Sequence, residues 1–313
     1  MTSSDSDPLP KRQGAGKRNL DLFLLGSKSS PICFYFEDEG CEELYTRFLR
    51  RLFPNYVKPL VVCTGGKTKK QALADANAHK LSPVVFLQDK DFDDIIGALP
   101  TDSRVVTLHR YSFENYLLEK DALVELAVES KRRLRREDAI HALEINEYLT
   151  KLYDSYRPLA ELFVTARRLN LKNVKTTKQA IGELVLPNTE LVSEADILRY
   201  RNGVLKAALA SQRIATAEDL QPLIVSALEP KPQYREYADA HPNAHLCGKH
   251  LLDLVLLYID GKVGTALSKV DRFEISMRLV LHISVAIFDR VRAAIQDSLN
   301  KQDASGEALA LLA

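Results

Sequence analysis

Residues 84–94 read Val-Val-Phe-Leu-Gln-Asp-Lys-Asp-Phe-Asp-Asp, and this stretch decides the fold that we expect. Its apolar start, Val84–Leu87, is short and ends directly in polar residues, a pattern typical of a buried strand. Similar apolar runs occur at Ile32–Phe36, Leu60–Cys63 and Val105–Leu108. Helical patterns at Glu42–Leu52 and Lys67–His79 separate the first three runs. Strands that alternate with helices predict an α/β fold with a parallel sheet and right-handed crossovers.

Beyond Leu118 the strand pattern ends, and the chain is predicted to be mostly helical. The expected helices are Asp121–Leu134, Arg136–Leu169, Glu194–Ala210, Ala217–Leu228, Lys249–Ile259 and Phe273–Asn300. Pro158 should split or kink the second of these, because proline removes a helical hydrogen bond. We therefore divide the chain into a flexible leader (1–28), a sheet domain (29–118), a helical domain (119–300) and a tail (301–313).

Carboxylates follow three of the predicted strands at the point where each strand ends. They are Glu37 and Asp38 after the first strand, Asp89, Asp91 and Asp93 after the third, and Glu114 beyond the fourth. The carboxyl ends of parallel strands share one edge of a sheet, so these groups should converge. A divalent cation relieves the repulsion between like charges, and oxygen ligands suit Mg²⁺ or Mn²⁺. For any single acid, a solvated loop position or helix cap is the alternative.

Several motifs, taken in order, resemble a TOPRIM domain. Phe36-Glu37 matches its Glu after the first strand, Gly65-Gly66 its glycine-containing turn, and Asp89-x-Asp91-x-Asp93 its Asp-x-Asp after the third strand. Residues 110–117, Arg-Tyr-Ser-Phe-Glu-Asn-Tyr-Leu, are similar to a signature of a TOPRIM-like domain-of-unknown-function family. That family is related to nucleases of the overcoming-lysogenisation-defect (OLD) type and to AriB, the nuclease effector of the PARIS anti-phage system.

The resemblance implies a TOPRIM-like sheet and Mg²⁺-dependent phosphodiester cleavage in DNA or RNA, including tRNA. It assigns the catalytic work to Glu37, Asp89 and Asp91, which together with Asp93 would hold Mg²⁺ or Mn²⁺. Glu114 joins this catalytic set as a group that orients the site. The family layout also implies an effector of an ATPase-coupled anti-phage defence system. Its helical domain would form a homodimer or dock to an ABC-type ATPase.

Three lysines, Lys67, Lys69 and Lys70, follow the Gly65-Gly66 turn at the edge where the acids are expected. Positive charges at a helix start oppose the helix dipole, which favours a role in binding nucleic-acid phosphates. A solvated helix start is the alternative.

Two other functions remain open. Asp38 follows Glu37 where the family often has Gly, and Cys41 stands near the place of an expected acid. These departures motivate a catalytically idle interaction or regulatory module. Residues 84–91 also resemble the motif of a haloacid-dehalogenase-type phosphatase, although that family expects Thr or Val where Asp93 stands.

Residues 241–250 contain His241, His245, Cys247 and His250. These residue types bind zinc, but their spacing fits no standard zinc pattern. A turn before a helix is the preferred interpretation.

The composition sets the broad class of protein. A formal net charge of +1 excludes a strongly basic protein that coats nucleic acid by charge alone. Four cysteines without a CxxC pair indicate a reducing compartment. The longest strongly apolar run, Leu279–Phe288, is too short to span a bilayer, so we predict a cytoplasmic protein without membrane contact.

Overall fold

A four-stranded parallel sheet forms the first part of the chain. The computed structural model describes residues 32–55, 59–64, 83–177, 179–185, 190–229, 236–237 and 240–302. The strands are β1 (Cys33–Phe36), β2 (Leu60–Cys63), β3 (Val84–Gln88) and β4 (Val105–Thr107). Their order in the sheet is β2-β1-β3-β4, and every neighbouring pair is parallel. The predicted α/β fold with a parallel sheet is therefore confirmed.

Helix α1 (Glu42–Leu52) has the predicted bounds and connects β1 to β2 along the chain. Its buried face consists of Leu44, Tyr45, Phe48, Leu49 and Leu52. Acidic residues in the first turn and basic residues in the last turn complement the helix dipole. The predicted helix at 67–79 and the Gly65-Gly66 turn lie outside the described residues, as do the leader and residues 303–313.

The rest of the described chain is mainly helical, as predicted. Two short helices, α2 (Asp93–Ile96) and α3 (Glu114–Leu117), follow β3 and β4. The longer helical region comprises α4 (Lys120–Ser130), α5 (Arg136–Leu143), α6 (Ile145–Arg168), α7 (Glu194–Ala210), α8 (Leu220–Val225), α9 (Gly248–Val263), α10 (Arg272–His282) and α11 (Asp289–Gln302).

Of the two predicted effects of Pro158, the split is wrong, because Pro158 lies inside the continuous helix α6; the kink stays a prediction. Tyr156 and Leu159, on either side of the proline, are fully buried, and their packing holds the helix together. The chain breaks instead at Glu144, which adopts the left-handed conformation with φ 40° between α5 and α6.

The predicted helix 273–300 is also interrupted, at Ile283 and Ser284, whose backbone is extended. The guanidinium of Arg51, on α1, donates hydrogen bonds to the carbonyls of Leu281 and Ile283. These bonds satisfy carbonyls that the end of α10 leaves without helical partners. A long-range contact therefore stabilises the break.

The sheet and the helical region share one apolar core among the described residues. Phe288 lies between them, with its ring centroid 4.5 Å from that of Tyr116 and 4.7 Å from that of Phe48. The side chain of Gln302 pairs with the backbone of Val84 through bonds of 3.0 and 2.7 Å. The chain therefore packs across the predicted boundary at residue 118. No helix among the described residues is long and apolar enough to cross a membrane.

Replacing Phe288 tests this shared core. Phe288 is 1% exposed, so Phe288→Ala should lower the free energy of unfolding by about 3–5 kcal/mol. Chemical denaturation should still show a single transition for sheet and helices together. Phe273→Ala is the matched control, because Phe273 is 36% exposed and its loss should cost less than about 1 kcal/mol. Two separate transitions in the wild-type protein would contradict a common core.

Candidate functional site

The carboxyl edge of the sheet opens into a cleft of about 800 Å³. Four carboxylates line it, contributed by the residues that follow β1 and β3: Glu37, Asp38, Asp89 and Asp91. Three of them, Glu37, Asp38 and Asp89, also line a smaller cavity of about 10 Å³. Two basic residues also line the cleft: Arg167 from the end of α6 and Lys172 from the loop after it. The sheet thus brings acids from separate segments to one edge, as its topology requires.

Backbone contacts hold the loop after β3 against the loop after β4. The Phe113 amide donates to Asp89 Oδ1 over 3.1 Å, and the Asp91 amide donates to the carbonyl of Tyr111 over 2.8 Å. Asp91 has a φ of 49°, in the left-handed region that Asp tolerates better than most residues. These contacts fix Asp89 and Asp91 beside the segment that carries Glu114.

Lys249 is the site residue that we did not predict. Its Nζ atom, near the start of α9, lies 3.0 Å from Asp38 Oδ1 and 3.9 Å from Glu114 Oε1. Asp38 Oδ2 also accepts a 2.6 Å hydrogen bond from the Tyr45 hydroxyl. The only signal in the sequence is a Gly-Lys pair that begins an apolar helix after a polar turn.

Gly248 and Asn115 together place Lys249. A Cβ atom on Gly248 would lie 2.5 Å from both Ser112 Oγ and Asn115 Oδ1, so only glycine permits this close approach. The Asn115 side chain donates to the carbonyls of Asn243 and Leu246 over 2.9 and 3.0 Å. Asn115 therefore binds the loop before α9 to the loop after β4, which puts the start of α9 at the sheet edge.

The site carries more negative charge than its surroundings neutralise. Burial, together with the charges of Glu114 and Asp38, raises the pKa of Asp89 well above its ordinary value of 3.8. Burial also raises the pKa of Glu114, although Lys249 opposes the shift. Burial raises the pKa of Asp91, and Arg167 opposes that shift. An additional cation at this edge would lower the free-energy cost of ionising these buried carboxylates.

Lys249 responds to the same charges in the opposite direction. Burial alone would lower the pKa of the Lys249 ammonium, but Glu114, Asp38 and Asp89 outweigh burial and raise it. Burial and the neighbouring carboxylates of Asp38 and Asp89 raise the pKa of Tyr45 well above its ordinary value. At neutral pH the lysine is therefore charged and the tyrosine is a neutral hydrogen-bond donor.

Asp93, which we predicted as a metal ligand, lies in the first turn of α2 and engages protein partners. Arg167 donates to its Oδ1 over 3.0 Å, and the Gln88 amide lies 3.4 Å from its Oδ2. Asp93 does not line the cleft. The structure therefore unites Glu37, Asp89 and Asp91 at the cleft but places Asp93 beside it. The predicted phosphate-binding residues Lys67, Lys69 and Lys70 lie outside the described residues.

Two of the zinc-type residues at 241–250 have protein partners. His245 Nε2 lies 2.8 Å from Asp94 Oδ2, and His250 pairs with the Tyr156 hydroxyl at 2.6 Å and the Gln179 carbonyl at 2.7 Å. Burial raises the pKa of Cys247 to about 12, which keeps its thiol protonated. These three side chains serve packing and hydrogen bonding in this arrangement.

In the part of the chain that the structure describes, no three Asp, Glu, His or Cys side chains are grouped as ligands for one metal ion. Lys249 offsets part of the negative charge of Asp38 and Glu114. The chemistry of the remaining donors still fits a hard cation, because Glu37, Asp89 and Asp91 offer carboxylate oxygens only. The raised pKa values of Asp89 and Asp91 agree with that fit.

Comparison with known proteins adds no family assignment: no family model matches the chain, and no curated protein is significantly similar to it.

Substituting Gly248 tests how closely α9 docks at the sheet edge. Gly248→Ala forces the new methyl group against Ser112 and Asn115 and should lower the free energy of unfolding by about 1–3 kcal/mol. Gly203→Ala is the control, because Gly203 also lies in a helix but its added Cβ would meet no atom within 4 Å. That control should stabilise the protein by about 0.5–1 kcal/mol. Equal effects of the two substitutions in denaturant titrations would contradict the close contact.

Asp89 should make stability depend on pH in a defined direction. The pKa of Asp89 in the folded protein is raised above 3.8, so folding disfavours its ionised form. The stability that the protonated form contributes is complete below pH 3.8. It is lost as the pH rises from there through the pKa of the folded protein. Asp89→Asn should therefore raise the free energy of unfolding at pH 7 by about 1 kcal/mol or more, with no gain below pH 3.8. Its amide oxygen can still accept the hydrogen bond from Phe113.

Asp38→Asn provides the contrasting variant at the same site. Asp38 holds Lys249 at 3.0 Å, so neutralising it removes an ion pair and should destabilise the protein at neutral pH. Denaturant titrations of both variants across the pH range would separate the two effects. Destabilisation by Asp89→Asn at pH 7 would contradict the electrostatic account.

Proposed function

We propose that this protein is a metal-dependent nuclease that hydrolyses phosphodiester bonds in DNA or RNA, including tRNA. The observation that carries the proposal is the convergence of Glu37, Asp89 and Asp91 on one cleft, where burial raises the pKa values of Asp89 and Asp91. The resemblance of the same residues to the TOPRIM pattern supports the same conclusion. Arg167 and Lys172, which line the same cleft, provide positive charge for a substrate phosphate.

Glu37, Asp89 and Asp91 would hold Mg²⁺ or Mn²⁺ at this edge. When bound, the cation would lower the pKa of a coordinated water and offset charge on the phosphate and the leaving oxygen. Lys249 pairs with Asp38 and lies near Glu114, so it offsets part of their charge, while the other three carboxylates are available to the cation.

The chain's own residues would then handle the substrate and the proton. Arg167 and Lys172 would orient the phosphate through charge-assisted hydrogen bonds. In the alternative in which Glu37 is the general base and not a metal ligand, this residue, exposed at the end of β1, would accept the proton of the attacking water as that oxygen bonds to phosphorus. The bond from phosphorus to the leaving oxygen breaks, and that oxygen takes up a proton from solvent.

The proposal extends to the biological setting. We propose that the nuclease is an effector of anti-phage defence, with the helical region forming a homodimer or docking to an ABC-type ATPase. This part rests on the family resemblance alone.

One observation favours a second candidate, a catalytically idle interaction module. Lys249 is a cation already seated among the carboxylates, at 3.0 Å from Asp38 and 3.9 Å from Glu114. In this alternative the ammonium permanently takes the place of a metal ion. The haloacid-dehalogenase-type alternative has no comparable support, because that family expects Thr or Val where Asp93 stands.

A cleavage assay tests the nuclease proposal. Purified protein is incubated with labelled single-stranded and duplex DNA, RNA and tRNA in Mg²⁺, Mn²⁺ or EDTA. We expect cleavage with metal only. Asp89→Asn should reduce its rate by about 100-fold or more, because loss of a ligand should cost at least as much as loss of a group that supports one. Since this variant should also be more stable than the wild type, unfolding would not explain the loss.

Asp102→Asn is the matched control, because Asp102 precedes β4 at the opposite edge of the sheet and pairs with Arg104. It should cleave at the wild-type rate. Mn²⁺ binding, measured by electron paramagnetic resonance, should also be weaker in Asp89→Asn than in the wild type. A wild-type protein that neither binds Mn²⁺ nor cleaves any substrate would favour the idle module.

A further inference from the structure

A second groove, of about 580 Å³, adjoins the acidic cleft. One part of its lining is the loop after α6. The other part is the last turns of α7 and the residues that follow α7. Asn170, Leu171 and Lys172 line both the groove and the cleft. The two depressions are therefore continuous at this loop.

Every charged residue that lines the second groove is positive: Lys172, Lys206 and Arg213. Within the described residues, none of these three side chains forms an ion pair, and all three are exposed. Some other exposed lysines of the helical region do have acidic partners, since Lys151 and Lys175 each pair with a glutamate, at 2.6 and 2.8 Å. The groove thus concentrates positive charge that nearby side chains leave unneutralised.

The helix dipole explains only part of this arrangement. Lys206 lies near the end of α7, and Lys172 follows the end of α6, where positive charge is favourable. That effect accounts for cations near the two helix ends. It does not account for their grouping, together with Arg213, around one concave surface that continues into the cleft.

We infer that the second groove binds the phosphate backbone of a nucleic-acid strand and leads that strand into the acidic cleft. Lys172 lies at the junction and contacts the strand on both sides of it. The side-chain amides of Asn170 and Asn173 add neutral donors for phosphate and sugar oxygens. This inference rests on the proposed nuclease function and extends it by assigning a substrate-binding surface.

Gly203 offers a clean test, because it lines the groove and a Cβ atom there would meet nothing within 4 Å. Gly203→Glu places a carboxylate among the three cations, and Gly203→Gln adds the same bulk without charge. Binding of short fluorescein-labelled single-stranded DNA, RNA and duplex DNA is measured by fluorescence anisotropy in EDTA, where cleavage cannot contribute. We expect Gly203→Glu to bind about tenfold more weakly than Gly203→Gln at low salt.

A second variant measures the number of phosphate contacts. Replacing Lys172, Lys206 and Arg213 together with Gln should reduce the slope of log affinity against log salt concentration by about 2 for a single strand, since each contact contributes about 0.7. The control replaces Lys120, Lys151 and Lys269 with Gln, which removes the same charge at exposed positions outside the groove. Its slope should equal that of the wild type.

Three results would overturn the inference: no binding by the wild type, equal binding by Gly203→Glu and Gly203→Gln, or competition by poly-glutamate as strong as that by nucleic acid. The last result would assign the groove to an acidic protein partner.

Failure of the nuclease proposal would give a different result. In that case no metal supports cleavage, while the groove variants still weaken binding. Normal cleavage with unaltered binding by the groove variants would overturn the inference and leave the nuclease proposal intact.

Discussion

The contact between the start of α9 and the loop after β4 is the constraint on which the rest of the site depends. Gly248 allows the two backbones to approach because a Cβ atom would collide with Ser112 and Asn115. The next residue, Lys249, thereby reaches carboxylates from two strand ends. Removing one member of such a half-buried ion pair leaves the other charge uncompensated, which is costly. The helical region is therefore part of the site, and not merely attached to the sheet.

The edge of the sheet combines like charges with burial, and these two features oppose each other. Asp89, Asp91 and Glu114 all have raised pKa values, so their ionised forms cost stability in the folded protein. Arrangements that lower stability in this way are typical of functional sites. Lys249 offsets part of the cost, and a divalent cation would offset more. The nuclease and the idle module differ in whether Lys249 alone offsets the charge of these carboxylates or a divalent cation is also required.

Charge of the opposite sign lies immediately beside the acids. The net charge of +1 does not reveal this segregation, because it sums 43 basic and 42 acidic residues over the whole chain. A polyanion would be attracted to the cations of the groove and repelled by carboxylates without a cation. Occupation of the acidic cleft by a strand would therefore require that the carboxylates be neutralised first. This coupling provides a physical reason for a nuclease to act only with its metal.

The sequence by itself determined the elements that depend on local periodicity. It predicted the exact bounds of α1 and β2, the positions of all four described strands and the acids Glu37, Asp89 and Asp91 at one edge. Only the tertiary structure decided that Lys249, which lies 211 residues beyond Asp38, completes the site and that Arg167 engages Asp93. It also decided that the chain breaks at Glu144 while α6 continues through Pro158. Strand and helix patterns report which face of an element is buried, but they carry no information on which distant side chain packs against it.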